Sequence, residues 1–220
     1  MALIICPECK KEISSMAATC PFCGFPIAAN DSQKPSVDVE KYLSLALDAI
    51  KSKNPDLVEK YCEEVLQSDP ENSKAWEYEA RGLLFTASLK NNKVPQAINA
   101  AANAVKFSSE NKPELAVSLY DCICQHVNGL LANAISMPVL AAEMGATYVR
   151  QCFGFYLDLL VKIPDLPKEK IEAELQKIGK MDSDSKKAIM PKKRYIWAAR
   201  VGQPAWDEQF RAALKECGKL

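Results

Sequence analysis

The chain has very little histidine. His126 is the only one among 220 residues, and histidine is the side chain that most often serves as a general base near neutral pH. The sequence also lacks a phosphate-binding P-loop, a dinucleotide-binding glycine fingerprint, a serine-centred nucleophile elbow and a His-Glu-x-x-His metal motif. These absences predict a protein that is not an enzyme.

There is no excess of charge of either sign. Lys and Arg total 28, and so do Asp and Glu, so the formal net charge is zero. This balance argues against a protein whose main task is to grip nucleic acid through its overall field. The first six residues have neither the basic start nor the apolar length of a secretion signal, and nine cysteines suit a reducing compartment. We therefore expect a cytoplasmic protein.

Four of the cysteines form two matched pairs. Cys6 and Cys9 make one Cys-x-x-Cys pair, and Cys20 and Cys23 make a second after ten intervening residues. This spacing brings four soft sulfur ligands within reach of one tetrahedral ion, the arrangement that structural zinc prefers. About 25 residues bury too little apolar surface to fold alone, and metal binding can supply the missing free energy. The alternatives are four unrelated reduced thiols or two disulfides.

The segment CPECKKEISSMAATCPFCGFPI resembles the short zinc ribbons found at the N-terminus of many bacterial proteins. The resemblance covers about residues 4–27 and implies one structural zinc, a small β-hairpin fold and a bacterial source. Lys10 departs from the pattern, because the family usually has glycine after the first knuckle. In that family the ribbon is structural or serves as an interaction module.

The composition divides the chain into four parts. Residues 1–27 form the ribbon, and residues 28–36 are small, polar and proline-containing, as in a linker. Residues 37–110 form the first helical region, and residues 111–220 a helical extension packed on it. Nothing after the linker has the pattern of a strand, so the predicted fold is mostly α with a small N-terminal β-hairpin.

The first helical region contains a repeat. Tyr42, Ala46 and Ala49 recur 34 residues later as Trp76, Ala80 and Leu83. An aromatic residue, small residues on both helices and a closing Asp-Pro turn resemble the tetratricopeptide repeat. The resemblance covers about residues 38–109 and implies that the first helix of each pair faces a binding surface. A generic array of helical hairpins is the alternative.

Residues 113–163 are the most apolar part of the chain. The run from Val127 to Val149 has one formal charge, Glu143, and is long enough to cross a bilayer. It also contains asparagine, glycine and Pro138, and an apolar helix is equally what the centre of a helical domain requires. We expect a buried pair of core helices, the second beginning near Ser136–Pro138, with a membrane span as the alternative.

Two further groups of residues are candidates for a functional site. Cys122, Cys124 and His126 stand close together, which raises the question of a second metal site or a thiol redox centre. Cysteines two positions apart lie on different sides of a helix, so we expect a core histidine with a hydrogen-bond partner instead. The basic segment 186–194, followed by Tyr195 and Trp197, could contact nucleic acid or could be a solvated face.

The predicted function is that of a non-catalytic, zinc-binding adaptor that recognises a protein partner. On the tetratricopeptide-like reading, the polar residues Lys41, Lys74, Glu77 and Arg81 point outward from the first helix of each pair and contact a charged peptide. The alternative is a nucleic-acid-binding protein that uses the ribbon and the segment 186–194.

Overall fold

The structure is a computed structural model. It describes residues 3–6, 8–14, 17, 19–25, 38–136, 142–189 and 206–220. The chain separates into two compact units, Met1–Val37 and Asp38–Leu220. The proposed linker, residues 28–36, lies outside the described residues.

The first unit, which we call the four-cysteine unit, contains a short β-hairpin. Strands β1 (Leu3–Ile5) and β2 (Glu12–Ser14) pair antiparallel, with Ile4 opposite Ile13. Its core is very small: Cys6, Ile13 and Cys20 are buried, and Cys9 and Phe25 are half-buried against them. The hairpin therefore carries the cysteines instead of enclosing an apolar core.

The second unit, the helical domain, contains eight helices among its described residues. They are α1 (Val39–Lys51), α2 (Pro55–Ser68), α3 (Ser73–Thr86), α4 (Val94–Phe107), α5 (Lys112–Ser136), α6 (Ala142–Lys162), α7 (Lys168–Ile189) and α8 (Trp206–Glu216). The prediction of a mostly α fold with a small N-terminal β-hairpin is confirmed.

The starts of the first three helices follow directly from the sequence. The side chains of Asp38, Asn54 and Asn72 each accept a hydrogen bond from the backbone N–H three residues later, which satisfies one free donor of the first turn. Pro55 occupies the first turn of α2, where its missing N–H costs nothing. Short polar residues therefore set where these hairpins begin.

Successive helices pack against one another, so α1 and α2, α3 and α4, and α5 and α6 form hairpins. The first helices of the hairpins are also neighbours, α1 of α3 and α3 of α5. Helices α2 and α3 approach closely at Gly82, where a methyl group would lie 2.5 Å from Cγ1 of Val58. Only glycine allows the backbone of α3 to come so near a β-branched side chain.

Most of the apolar side chains join one continuous core that runs from Ala80 to Leu214. Its largest fully buried members include Tyr120, Phe153, Tyr156 and Phe210. The hairpin α1–α2 has a smaller core of its own, made by Ala46, Ala49, Val58 and Cys62. The aromatic residues therefore fill the C-terminal part of the domain, whereas small residues let the first helices approach closely.

The apolar run from Val127 to Val149 is divided between two helices. Helix α5 ends at Ser136 and α6 begins at Ala142, while residues 137–141, including the expected start at Pro138, lie outside the described residues. Within the described ranges, no helix is long and apolar enough to span a bilayer. The two helices pack on each other and bury Val127, Leu131 and Val149, as predicted for a core pair.

Candidate functional site

The four cysteines of the N-terminal unit converge on one point. The Sγ atoms of Cys6 and Cys23 are 3.7 Å apart, and those of Cys9 and Cys20 are 3.6 Å apart. All four sulfurs lie within 4.8 Å of one another. Sulfurs at about 2.3 Å from a tetrahedral zinc stand roughly 3.8 Å apart, whereas a disulfide needs about 2.05 Å. The geometry therefore fits one metal ion, and zinc is the ion that a set of four thiolates suits best.

Two equivalent backbone turns hold the sulfurs in place. The carbonyl of Cys6 accepts from the N–H of Lys10, and the carbonyl of Cys20 accepts from the N–H of Gly24, both at 2.9 Å. The N–H of each of these cysteines donates in turn to a carbonyl five residues later, that of Lys11 or Phe25. The same knuckle therefore occurs twice, and each one presents a pair of sulfurs.

The two knuckles differ at the residue that follows the second cysteine. Lys10 has φ of 60° and Gly24 has φ of 73°, so both occupy the left-handed region. Glycine adopts this conformation without strain, whereas a residue with a Cβ adopts it at a cost of about 1–2 kcal/mol. Lys10, the departure from the zinc-ribbon pattern, is thus the strained half of an otherwise matched pair.

The pKa values show how the sulfurs influence one another. Burial opposes ionisation of Cys20, but the backbone N–H groups of Phe22 and Cys23 outweigh it and lower the pKa to about 7. The N–H of Phe25 favours the thiolate of Cys23, but desolvation and the other three sulfurs outweigh it and raise its pKa to about 12. Four adjacent thiolates repel one another, so a bound dication is what would let all of them ionise.

The predicted partner-binding residues lie on the first helices of two hairpins. Lys41 is exposed on α1, and Lys74 is exposed at the start of α3. Glu77, however, is only 9% exposed, and it accepts hydrogen bonds from Lys74 Nζ at 3.2 Å and from Arg81 Nη2 at 3.1 Å. The prediction that Glu77 is an outward polar residue is wrong, because two neighbouring cations on the same helix face enclose its carboxylate.

This ion cluster changes what a charge substitution would do. Reversing Lys74 and Arg81 would leave the buried carboxylate of Glu77 beside two new carboxylates, and their repulsion would destabilise the helix. The structure shows that Lys74 and Arg81 have an intramolecular partner, so they are unsuitable as a clean probe of binding.

Two open cavities lie between helices α3 and α5. One has a volume of about 590 Å³, and the other a volume of about 350 Å³. The first is lined by Asp69, Glu71, Asn72, Ser73, Lys74, Glu77, Phe107, Ser108, Ser109, Glu110, Asn111, Glu114, Leu115 and Ser118. The second is lined by Ile50, Arg81, Leu84, Phe85, Cys122, Gln125 and His126.

Cys122, Cys124 and His126 do not form a common site. Cys122 lines the 350 Å³ cavity, whereas Cys124 lies on another side of α5, near Tyr156 and Glu174. Burial raises the pKa of the Cys124 thiol to about 11. His126 donates from Nε2 to the carbonyl of Ala87 at 3.1 Å, and Ala87 is the residue directly after α3. The expected hydrogen-bond partner of His126 is confirmed, but the residue is only half-buried and lines an open cavity, so it is not part of the core. Among the described residues the four N-terminal cysteines form the only metal-ligand cluster.

Sequence reasoning missed a buried charge on α7. Glu174 is 4% exposed and receives Lys170 at 3.1 Å and Lys177 at 2.7 Å, while the Tyr120 hydroxyl donates to it at 3.4 Å. Lys170 also pairs with Asp121 of α5 at 2.6 Å. The cluster fastens α7 to α5. A signal was present in the sequence, because position 174 falls among the buried positions Ile171, Leu175 and Ile178 of α7.

The basic segment 186–194 lies where the structure describes no side chains. Residues 190–205 lie outside the described part of the chain, and the side chains of residues 186–189 are not described either. Comparison with protein-family models, with curated proteins and with solved structures produced no match to this chain.

Proposed function

We propose that this chain is a non-catalytic cytoplasmic adaptor, in which a zinc ribbon is joined to a tetratricopeptide-like domain that binds a protein partner. The observation that carries the proposal is the arrangement of the first helices. Helix α1 begins at Val39 and α3 at Ser73, 34 residues later, and α1, α3 and α5 lie side by side. Adjacent first helices are the feature that gives tetratricopeptide-like arrays a continuous binding face.

The second helical pair, α3 and α4, departs from a strict repeat in a limited way. Helix α4 begins at Val94, 39 residues after the start of α2 at Pro55, because a longer connection separates α3 from α4. His126 and Asn91 donate to carbonyls at the end of α3, Ala87 and Thr86. These contacts accommodate the extra residues at one end of the hairpin, so the packing of its helices is kept.

The charge of the N-terminal unit favours a protein over a nucleic acid as partner. In residues 1–25 the charges of Glu8, Lys10, Lys11 and Glu12 cancel. Four thiolates around one zinc dication add a formal charge of −2, so the metal-bound unit is anionic. Phosphate backbones are bound by a surplus of Lys and Arg residues, and this unit has no such surplus. Zinc here would hold the fold of the unit instead of contacting a polyanion.

The test uses two exposed apolar residues as a matched pair. Phe85 on α3 is 39% exposed and lines the cavity beside α5, whereas Leu57 on α2 is 37% exposed and lines neither cavity between α3 and α5. Full-length protein with Phe85→Ser should lose a partner that co-purifies with the wild type, and Leu57→Ser should retain it. Quantitative mass spectrometry after cross-linking in the source cells measures the difference.

Two results would count against the proposal. A co-purifying protein that Phe85→Ser retains as well as Leu57→Ser does would show that the first helices do not form the binding face. A captured protein that is lost after nuclease treatment, or nucleic acid captured with a steep salt dependence, would favour the nucleic-acid-binding alternative.

A further inference from the structure

The two cavities between α3 and α5 follow one another along the same pair of helices. On α3 their lining residues form a single stripe at helical spacing, Lys74, Glu77, Arg81, Leu84 and Phe85. On α5 they form a second stripe, Glu114, Leu115, Ser118, Cys122, Gln125 and His126. We call the space between these stripes the α3–α5 groove.

Arg81 lies where the two halves of the groove meet. Its guanidinium donates from Nη2 to Glu77 at 3.1 Å and reaches Ser118 Oγ on α5 at 3.5 Å. The cation is therefore engaged by groups on both helices and contributes little free positive charge to either half. The groove has an acidic half on one side of Arg81 and an apolar half on the other.

The acidic half carries a strong negative charge. It is lined by the carboxylates Asp69, Glu71, Glu77, Glu110 and Glu114. The cations Lys74 and Arg81 both pair with Glu77, which leaves three net negative charges. The N-termini of α3 and α5 also lie here, but two helix dipoles offset only about one unit of positive charge. The surplus is thus too large to be explained as compensation of the helix ends.

Most of these carboxylates have no cationic partner of their own. Within the part of the chain that the structure describes, no lysine or arginine pairs with Asp69, Glu71, Glu110 or Glu114. Asp69 and Glu114 accept hydrogen bonds from amide side chains instead, those of Asn72 and Asn111. Neutral amide donors hold these carboxylates in place without cancelling their charge.

The apolar half offers a different chemistry. Ile50 of α1, Leu84 and Phe85 of α3, and Cys122 of α5 line it, and the Phe85 ring remains 39% exposed. Removal of one large apolar side chain from water into such a site is favourable. This half therefore suits one bulky apolar side chain of a ligand.

The distance between the two halves restricts which peptides can occupy both of them. From Lys74 to Leu84 the α3 stripe rises ten positions, or about 15 Å at 1.5 Å per residue. An extended peptide advances about 3.3 Å per residue, so it covers that distance in four or five positions. A ligand that serves both halves needs an apolar residue and a basic residue at that separation.

We infer that the α3–α5 groove binds an extended peptide segment in which a large apolar residue and a lysine or arginine stand four or five positions apart. This inference rests on the proposed peptide-binding function and adds the chemistry of the partner. The apolar residue occupies the half near Phe85. The peptide residue that carries the cation lies near the start of α3, and its long side chain extends toward the uncompensated carboxylates of Glu71 and Glu110.

The first experiment selects ligands without assuming a natural partner. Full-length protein is used to select from a library of random twelve-residue displayed peptides at low ionic strength. We expect enrichment of peptides in which a large apolar residue and a lysine or arginine stand four or five positions apart. Enrichment of acidic peptides, or of apolar peptides without a basic residue, would overturn the inference while the proposed function stands. Failure to enrich any peptide would count against both.

The second experiment places the selected peptide in the groove. The dissociation constant of the best-enriched peptide, synthesised with a fluorescent label, is measured for the wild type, for Glu71→Lys with Glu110→Lys, and for Glu208→Lys with Glu216→Lys. All four glutamates are exposed, so the two variants carry the same change in net charge at different places.

We expect the substitutions in the groove to weaken binding at least tenfold and the control pair to change it by less than about twofold, because interface charge pairs depend on proximity. Glu71→Gln with Glu110→Gln should give an intermediate loss, and its unchanged melting temperature would show that folding is unaffected. Equal effects of the groove and control pairs would overturn the placement of the peptide.

Discussion

The four-cysteine unit and the helical domain are stabilised in different ways. Among the described residues of the first, three side chains are buried, and two of them are the potential metal ligands Cys6 and Cys20. In the second, one continuous core runs from Ala80 to Leu214, and aromatic residues such as Phe153 and Trp206 stack within it at 5.2 Å between ring centroids. Among the described residues of the four-cysteine unit, the apolar core is therefore too small to replace a bound metal ion as the source of stability.

This contrast has an energetic basis. Structural zinc sites supply on the order of 10–16 kcal/mol near neutral pH, which exceeds the stability of most small domains. The helical domain draws its free energy from apolar burial spread over many side chains, so no single substitution removes most of it. We therefore expect the unit to depend on one ion and the domain to depend on close packing at particular positions.

The largest effect is expected from loss of one metal ligand. Cys9→Ser removes a thiolate from a closed shell of four, so the protein should fall from one zinc per chain to nearly none. Elemental analysis measures this change. The helical signal in circular dichroism should stay close to that of the wild type, because the two units have separate cores.

Retention of full zinc occupancy by Cys9→Ser would contradict the assignment of the site. A large loss of helical signal would instead contradict the independence of the two units. Cys217→Ser is the matched control, because Cys217 is a free, exposed cysteine of the helical domain. It should leave the zinc content unchanged.

The second prediction sharpens the role of close packing in the helical domain. Gly82→Ala places a methyl group 2.5 Å from Cγ1 of Val58, whereas nothing lies within 4 Å of a methyl group at Gly129. Overpacking costs about 1–3 kcal/mol, and the higher helix propensity of alanine returns about 1 kcal/mol. Gly82→Ala should therefore lower the free energy of unfolding by up to about 2 kcal/mol, and Gly129→Ala should raise it by about 1 kcal/mol.

Urea denaturation of the full chain, followed by its helical signal, measures both values. The two substitutions are chemically identical and both lie inside helices, so propensity alone predicts the same gain for each. A gain in stability for Gly82→Ala equal to that of Gly129→Ala would mean that α2 and α3 do not approach closely at Val58.

The smallest effect is expected within the four-cysteine unit, where the two knuckles can be compared with each other. Lys10→Gly removes the backbone strain of a residue with a Cβ in the left-handed conformation. It should therefore strengthen zinc binding by about 1 kcal/mol, or roughly fivefold. Gly24→Ala should weaken it by a similar amount, because φ there is 73° and no steric contact intervenes. Competition with a chromophoric chelator measures both affinities.

If Lys10→Gly leaves zinc affinity unchanged, the left-handed conformation at residue 10 is not a source of strain. Lys11→Gly is the control for loss of a lysine charge at the neighbouring position. It should not strengthen binding, because Lys11 lacks the positive φ of Lys10.

Much of the fold could be predicted from local patterns. Helices α1 and α3 begin 34 residues apart because Asp38 and Asn72 cap them, and both residues are visible in the sequence. The four sulfur ligands could be predicted for the same reason, since the spacing of two Cys-x-x-Cys pairs restricts where the side chains can go. Such interactions join residues that are close along the chain, so a short stretch contains all the information that they need.

The burial of Glu77 and Glu174 was decided by the tertiary structure. Glu77 resembles any solvated carboxylate on a helix, yet packing leaves it buried between Lys74 and Arg81. Glu174 is buried because α7 packs on α5, more than fifty positions earlier in the chain, where Tyr120 donates to it. The α3–α5 groove depends in the same way on two helices whose facing stripes lie about forty residues apart. Burial and charge compensation are set by which distant surfaces meet, and neither helix encodes that alone.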